Sequence, residues 1–377
     1  MQVGGHCPTL VGWIPLYLPR WRLNPMPNSF KKVVVIAVLL AALTASAFSQ
    51  SPSWKSAIAL FDQQHWAEAA SAFATIEQQS PGKTDALLYR ARSLTELGQV
   101  NEAEPAVEAY VTAHPASPEG WRELGYIRFR LHKPTGSLDA YAQAAKLSPQ
   151  TSTDLVISAQ DYLLTMDTLS AAQCLEKALK LQPNDIEAIY QFGRVRYKQG
   201  RMDEAIASFE QVLRSDPSRI KAQENLGLCL ERYGQLEQAL AAYQQAVNLD
   251  AVASAHSDRP YLYLGALLVK LGRSQDAVPV LVRGLELNPN SGKLHSVLGR
   301  AYFNLKKPVE AQHEMEESVQ LDPKDGPSHY ALARLYTSVG KPELAEQQFK
   351  AAQVQFDAEA AKGNTMGMGR EMELTPE

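Results

Sequence analysis

Residues 186–219 read IEAIYQFGRVRYKQGRMDEAIASFEQVLRSDPSR, and much of the chain repeats their pattern. The landmarks of this stretch are Phe192-Gly193, Gly200, Ala205, Phe209 and Pro217. Residues of the same kinds return 34 residues later, at Leu226-Gly227, Gly234, Ala239 and Tyr243. A fixed period of this length is the sequence signature of a repeat architecture.

Proline marks the period most clearly. Five prolines follow one another at steps of 34 residues, namely Pro81, Pro115, Pro149, Pro183 and Pro217. Ala251 takes the next place, and the step resumes at Pro289 and Pro323 after an insertion of four residues, 254–257. The chain therefore divides into nine units: 50–83, 84–117, 118–151, 152–185, 186–219, 220–253, 258–291, 292–325 and 326–359.

Each unit contains two stretches of about a dozen residues whose apolar side chains are spaced by three and four, as amphipathic helices require. A glycine between the stretches, such as Gly200, can close the first helix in a left-handed conformation. The proline ends the second helix. One helix pair is too small to bury its own apolar face, so the pairs must stack. We therefore predict an all-α solenoid with a concave groove.

The first helix carries Trp121, Leu124 and Gly125 in the third unit, and Tyr261, Leu264 and Gly265 in the seventh. With the Ala-x3-large pairs of the second helix, these residues resemble the tetratricopeptide repeat family over residues 50–359. The resemblance implies a right-handed superhelical solenoid of helix–turn–helix units. It also implies that the second, fifth, ninth, twelfth and thirteenth places of each first helix face the concave side.

Those places and their neighbours carry basic and aromatic side chains, although the formal net charge of the chain is −4. The candidate partner-binding residues are Arg92, Arg122, Tyr126, Arg130, Tyr190, Arg194, Tyr197, Lys198, Arg300, Phe303, Tyr330 and Arg334. Arginine binds carboxylates at two points and aromatic rings give rigid apolar contact, so we expect a protein partner with an acidic or C-terminal segment. An anionic glycan is the alternative ligand. In a further alternative the bases pair with Glu119, Glu187, Glu224 and Glu231, and no ligand is implied.

Residues 26–49 have the features of a secretory signal peptide. Lys31-Lys32 precede an apolar run over 33–43, and cleavage is expected after Ala47, with Ser49 as a second choice. An uncleaved inner-membrane anchor is the alternative, although the run is slightly short for a membrane span. Residues 1–25 do not resemble a signal start, so we interpret them as a mis-assigned start or a disordered extension. We expect a periplasmic or secreted protein.

Cysteine and histidine give no sign of a reactive centre. Cys174 and Cys229 are separated by a whole unit, too far for a disulfide, so we predict two small buried thiols. His295 and His329 share the fourth place of their units, where we expect them to pack at the unit interface or to stack on each other. No phosphate loop, catalytic signature or metal-ligand spacing is present, so we predict no cofactor, no metal and no enzymatic activity.

Residues 360–377 lose the period. We expect the last helix to continue to about Lys362 as a cap, with disorder beyond it. Interspersed charges give no support for nucleic-acid binding, and the insertion should change the superhelical pitch locally. We predict a non-enzymatic protein-interaction scaffold of the cell envelope. The alternative is a membrane-anchored or enzyme-associated subunit of an envelope assembly, secretion or polysaccharide-export complex.

Overall fold

The computed structural model describes residues 52–361, and this part of the chain contains eighteen α-helices. In chain order they are Trp54–Asp62 (α1), Trp66–Gln79 (α2), Asp85–Glu96 (α3), Val100–Ala113 (α4), Pro118–Arg130 (α5), Pro134–Leu147 (α6), Ser152–Leu164 (α7), Thr168–Leu181 (α8), Ile186–Lys198 (α9), Met202–Ser215 (α10), Ile220–Tyr233 (α11), Leu236–Asp250 (α12), Arg259–Lys270 (α13), Ser274–Leu287 (α14), Gly292–Asn304 (α15), Pro308–Leu321 (α16), Gly326–Ser338 (α17) and Pro342–Ala361 (α18).

The helices form nine consecutive pairs, with the odd-numbered helices as first helices and the even-numbered ones as second helices. Every helix packs against the next one along the chain. At most unit junctions the first helices also approach each other closely, as α5 does α7 and α13 does α15, whereas the second helices do not. The first helices therefore line the inner, concave wall of the array. This confirms the predicted all-α array of stacked helix pairs.

Close packing inside each pair depends on a small residue facing a large one. A β-carbon on Gly227 of α11 would lie 2.4 Å from the ring of Tyr243 in α12, and one on Gly125 of α5 would lie 2.8 Å from Tyr141 in α6. Both rings are buried. Because the ring occupies the space that a side chain would take, the two helices of a unit approach closely only at glycine or another small residue.

The turn inside each unit has one backbone geometry throughout. The fifteenth residue of all nine units has a positive φ, including Gly200 at +76° and Gly234 at +90°. Four units place other residues there, namely Gln64, His132, Met166 and Lys306, with φ between 54° and 63°. Helix packing thus imposes the left-handed turn even on residues with a β-carbon, for which this backbone conformation costs about 1–2 kcal/mol.

The four-residue insertion, 254–257, folds back onto the end of α12. Asp250 is fully buried, and its Oδ1 accepts a hydrogen bond of 2.8 Å from the backbone N–H of Ser257. His256 Nδ1 lies 2.8 Å from the backbone oxygen of Asp250. The flanking first helices, α11 and α13, do not belong to the closely approaching pairs. The predicted change of pitch at this junction stays a prediction.

In three units the fourth residue bonds to the backbone oxygen of the proline that precedes the unit. Trp121 donates its indole N–H to the backbone oxygen of Pro115, at 2.9 Å. His295 and His329 place Nε2 at 3.0 Å and 3.1 Å from the oxygens of Pro289 and Pro323. Their Nδ1 atoms lie 2.6 Å from Glu314 and Gln348 of the second helices. Each histidine ring therefore bonds within its own unit and to the proline that precedes it.

Both cysteines among residues 52–361 are free thiols. Cys229 is fully buried, and burial raises its pKa to about 12, whereas Cys174 is half-buried rather than buried as predicted. None of the helices in this range is long and apolar enough to cross a membrane. The predictions for residues 1–25, for the signal segment 26–49 and for the tail beyond residue 361 lie outside the described residues.

Candidate partner-binding surface

Ion pairs join neighbouring units along the concave surface, which we define as the wall formed by the first helices. Arg92 Nε of α3 lies 3.1 Å from a carboxylate oxygen of Glu123 in α5, and Arg122 Nε lies 2.9 Å from Asp154 in α7. Three further pairs follow, Arg219–Glu187 at 2.7 Å, Arg259–Glu224 at 3.2 Å and Lys270–Glu231 at 3.1 Å. Four of these five pairs link one unit to its neighbour, whereas Arg219–Glu187 joins the two ends of the fifth unit, with Arg219 as the N-cap residue of α11.

Arg122 shows how completely such a cation can be bound inside the array. Its Nη2 donates to the hydroxyl of Ser148 at 2.7 Å and to the backbone oxygen of Pro149 at 2.8 Å. Its carboxylate partner, Asp154, is buried and accepts the backbone N–H of Thr151, forming the capping box that begins α7. The guanidinium is therefore held at the junction of the third and fourth units.

Two aromatic side chains on the concave surface are held in different ways. Tyr190 of α9 is buried, accepts a 2.9 Å hydrogen bond from the amide of Asn225, and has the guanidinium of Arg219 3.9 Å above its ring. Tyr126 of α5 is half-buried and accepts a 3.1 Å hydrogen bond from Arg130. Tyr190 thus belongs to the packed wall, whereas Tyr126 and Arg130 lie at its surface.

Exposure divides the twelve predicted partner-binding residues into three groups. The exposed ones are Arg130, Arg300, Tyr330 and Arg334. The half-buried ones are Arg92, Arg122, Tyr126, Lys198 and Phe303. The buried ones are Tyr190, Arg194 and Tyr197. Their role in binding stays a prediction, and only the exposed group offers a large part of its side-chain surface to a ligand.

The four carboxylates of the self-paired alternative also differ from one another. Glu187, Glu224 and Glu231 lie in the ion pairs with Arg219, Arg259 and Lys270. Glu119 instead accepts a 3.2 Å hydrogen bond from the hydroxyl of Ser117. Self-pairing therefore accounts for part of the concave charge. It leaves Arg334, which makes no ion pair within residues 52–361.

Comparison with known families identifies the architecture. Tetratricopeptide repeat models match residues 60–123, 196–257 and 264–326. The model of the cytochrome c-type biogenesis protein H TPR domain matches residues 99–223. The chain is a tetratricopeptide-repeat protein. A search of curated protein sequences found no match.

Solved structures with the same fold are distant in sequence from this tetratricopeptide array. The APC/C hetero-tetramer Cut9-Hcn1 superposes with a TM-score of 0.55 at 17% identity, over 77% of this chain and 57% of that one. A tetratricopeptide repeat protein from Parabacteroides merdae gives a TM-score of 0.52 at 14% identity, over 66% of this chain and 96% of that one. The chain thus spans little more than half of the Cut9-Hcn1 chain that it matches. These similarities show the fold alone.

Asp161 of α7 is a buried carboxylate in the core of the tetratricopeptide array, and the sequence analysis did not predict it. It is fully buried at the tenth place of its unit, and neither carboxylate oxygen has a hydrogen-bond partner in the described range. Burial raises its pKa to about 7, although the nearby Ser137 hydroxyl opposes the rise. That hydroxyl already donates to the backbone oxygen of Gly125, at 2.9 Å, so it leaves the carboxyl unsatisfied.

The repeat pattern itself contained the signal for Asp161. In the other units from the second to the ninth, the tenth place is occupied by a fully buried apolar or small side chain, namely Ser93, Ile127, Val195, Cys229, Leu267, Ala301 or Leu335. An alignment of the units within this one sequence would therefore have shown a carboxylate at a core position. The structure adds that no cation within residues 52–361 pairs with this carboxylate.

The described residues contain no candidate metal cluster, and no enzyme family matches the chain. No group of three or more His, Cys, Asp or Glu side chains within 52–361 is arranged to hold a metal ion. The family models that match are repeat models, and no enzyme family is among them.

Proposed function

We propose that this protein is a non-enzymatic scaffold of the cell envelope that holds a segment of a partner protein along its concave surface. The observation that carries the proposal is the set of exposed basic and aromatic side chains on that surface, Arg130, Arg300, Tyr330 and Arg334. Stacked repeats of this kind create extended concave binding surfaces. The ion pairs between units hold the wall in place, which lowers the ordering cost of binding.

The partner segment is acidic or presents a C-terminal carboxylate. Guanidinium groups bind carboxylates through two parallel hydrogen bonds, and an exposed tyrosine such as Tyr330 adds apolar contact at low entropic cost. Salt should weaken this binding because exposed charges are screened over about 10 Å at 0.1 M ionic strength.

The test is a capture experiment from an envelope extract with matched variants. One variant carries Arg130→Glu and Lys198→Glu on the concave surface, and the control carries Arg273→Glu and Arg283→Glu, which change exposed residues of α14 and its N-cap. We expect the first variant to lose a partner that the wild type and the control retain. Equal capture by all three proteins would exclude the part of the concave surface around Arg130 and Lys198 as the binding site.

The envelope location rests on the interpretation of residues 26–49 as a signal peptide cleaved near Ala47. N-terminal sequencing of the purified protein and fractionation of cells test it. A mature N-terminus near residue 48 in the periplasmic or secreted fraction is the expected result. Retention in the membrane with residues 26–49 still present would favour the inner-membrane anchor, and recovery in the cytoplasm would contradict both.

A second candidate function is a subunit of a cytochrome c-type biogenesis complex. The specific support is the match of residues 99–223 to the TPR domain of a cytochrome c-type biogenesis protein H. Deletion of the gene should then reduce covalently bound haem in the c-type cytochromes of the source cell, measured by haem staining of a denaturing gel. An unchanged haem pattern would remove this candidate and leave the general scaffold.

A further inference from the structure

One large side chain at the end of the array is more exposed than its equivalents. The twenty-fourth residue of the first eight units is at most 3% exposed, in the series Phe73, Val107, Tyr141, Leu175, Phe209, Tyr243, Leu281 and Met315. In the ninth unit the same place holds Phe349, which is 38% exposed. Terminal units of stacked repeats need a polar outer face for solubility. Phe349 makes the outer face of the ninth unit apolar at this position.

Phe349 lies beside an apolar groove between α17 and α18. The groove is lined by Thr337, Gly340, Pro342, Ala345, Phe349 and Gln353, among others. Leu344 and Val354 of α18 are exposed nearby in the sequence. Two charged residues at the groove, Glu346 and Lys350, pair with each other at 2.6 Å, so they leave little net charge there.

The preceding interface shows what kind of element covers this face. Met315, the equivalent of Phe349, belongs to one buried cluster with Leu332, Leu335 and Tyr336 of the following first helix. These three side chains are spaced by three and one along α17, so they form one ridge of an amphipathic helix. The groove beside Phe349 continues the same series of interfaces. Its natural occupant is therefore a helix with apolar residues at that spacing.

Charge on the adjoining concave surface defines the polar face of the occupant. The first helices α1, α3, α5, α7, α9 and α11 each contain at least one Asp or Glu. The first helices α13, α15 and α17 contain none. The cations of α13 pair backward with α11, through Arg259–Glu224 and Lys270–Glu231. The remaining first helices carry Lys293, Arg300 and Arg334. Among the first helices, those of the last two units therefore carry cations but no carboxylate.

The basic side chains of α15 and α17, namely Lys293, Arg300 and Arg334, and the apolar groove beside Phe349 meet at Tyr330. Its ring centroid lies 5.6 Å from that of Phe349, and Arg334 follows four residues later on the same helix face. Arg334 is exposed and makes no ion pair with a residue that the structure describes. A helix lying in the groove would therefore place one edge beside Arg334.

We propose that the C-terminal end surface, formed by Tyr330, Arg334, Ala345 and Phe349, docks an amphipathic helix of a partner protein whose polar face is acidic. The inference rests on the proposed scaffold function. The end surface shares Tyr330 and Arg334 with the concave surface and adds Ala345 and Phe349 at the end of the described array. The partner helix would take the place of a tenth first helix, with its apolar ridge on Phe349 and its acidic edge on Arg334.

A designed probe tests the proposal. The probe is a fluorescent helical peptide of about twenty residues, long enough to form helix in water if it is alanine-rich. It carries Leu, Leu and Tyr at the spacing of Leu332, Leu335 and Tyr336, with glutamates on its polar face. A second peptide has lysines in place of the glutamates. Binding to the full chain is measured by fluorescence anisotropy.

We expect the glutamate peptide to bind the wild type and to lose about tenfold in affinity with either Phe349→Ser or Arg334→Glu. The lysine peptide should bind more weakly, and added salt should reduce the difference between the peptides. Circular dichroism confirms that each variant is folded. Arg334→Glu changes an exposed residue, so it keeps the test valid if Phe349→Ser unfolds the last unit.

Several results would overturn the proposal. Affinity that is unchanged by Phe349→Ser and Arg334→Glu, or no binding at all, would exclude the end surface as a helix site. Binding that requires removal of residues 362–377 would assign the groove to the chain's own tail. Self-association that Phe349→Ser abolishes would assign it to a second copy. Arg130→Glu with Lys198→Glu should leave peptide binding intact, so failure here and failure of the concave-surface proposal are distinguishable.

Discussion

Replacing Asp161 with asparagine should stabilise the protein at neutral and alkaline pH. The side chain is fully buried without a hydrogen-bond partner in the described range, and burial raises its pKa from 3.8 to about 7. The unfolded chain therefore releases the carboxyl proton near pH 4, whereas the folded chain keeps it until about pH 7. Asparagine has nearly the same shape and never ionises, so it removes this difference.

The magnitude follows from the two pKa values. Each unit of difference corresponds to about 1.4 kcal/mol, so a rise of about three units corresponds to roughly 4 kcal/mol of lost stability above pH 7. Because the folded state binds more protons between pH 4 and pH 7, the free energy of unfolding falls as the pH rises through that range. Below pH 4 both states are protonated and the penalty is absent.

Urea unfolding followed by circular dichroism measures the effect for the wild type and Asp161→Asn between pH 4 and pH 8.5. The variant should gain stability progressively with pH. Asp154→Asn is the matched control in the same helix, because it removes the ion pair with Arg122 and weakens the capping box of α7, so it should destabilise at pH 8. An equal stability difference for Asp161→Asn at both ends of the range would refute the reasoning, since packing rather than charge would then be its cause.

Three further substitutions test the packing. Met166→Gly should increase the free energy of unfolding by about 1 kcal/mol and so raise the thermal midpoint, because Met166 holds a left-handed turn with φ of 63°. Gly227→Ala should cost about 1–3 kcal/mol in urea unfolding because its β-carbon would meet Tyr243 at 2.4 Å. His295→Leu should cost about 1–3 kcal/mol in the same assay, since it removes the contacts to Pro289 and Glu314. A gain for Gly227→Ala, or no change for the other two, would contradict these explanations.

The sequence predicted the helix pairs and the turns because both follow from the spacing of small, large and turn-forming residues. Gly200 predicted its turn from residue type alone, but Met166 did not, since only the stacked neighbours impose a positive φ on methionine. The partners of long side chains could not be predicted in the same way. Arg92 was expected on the concave surface, yet its pairing with Glu123 depends on side-chain rotamers in two units, which no single-helix pattern specifies.

Asp161 and Phe349 show that equivalent places in a repeat array carry different energies according to their neighbours. The stability of such an array is close to a sum of unit terms and nearest-neighbour interface terms. The expected cost of the Asp161 carboxylate is therefore local to the packing around α7. Phe349 lies in a unit that no tenth unit follows in the described range, so its aromatic surface stays available. An aspartate at the buried tenth place makes the stability depend on pH, and a phenylalanine at the twenty-fourth place of the ninth unit offers a docking surface. Aligning the units of this sequence identifies both residues.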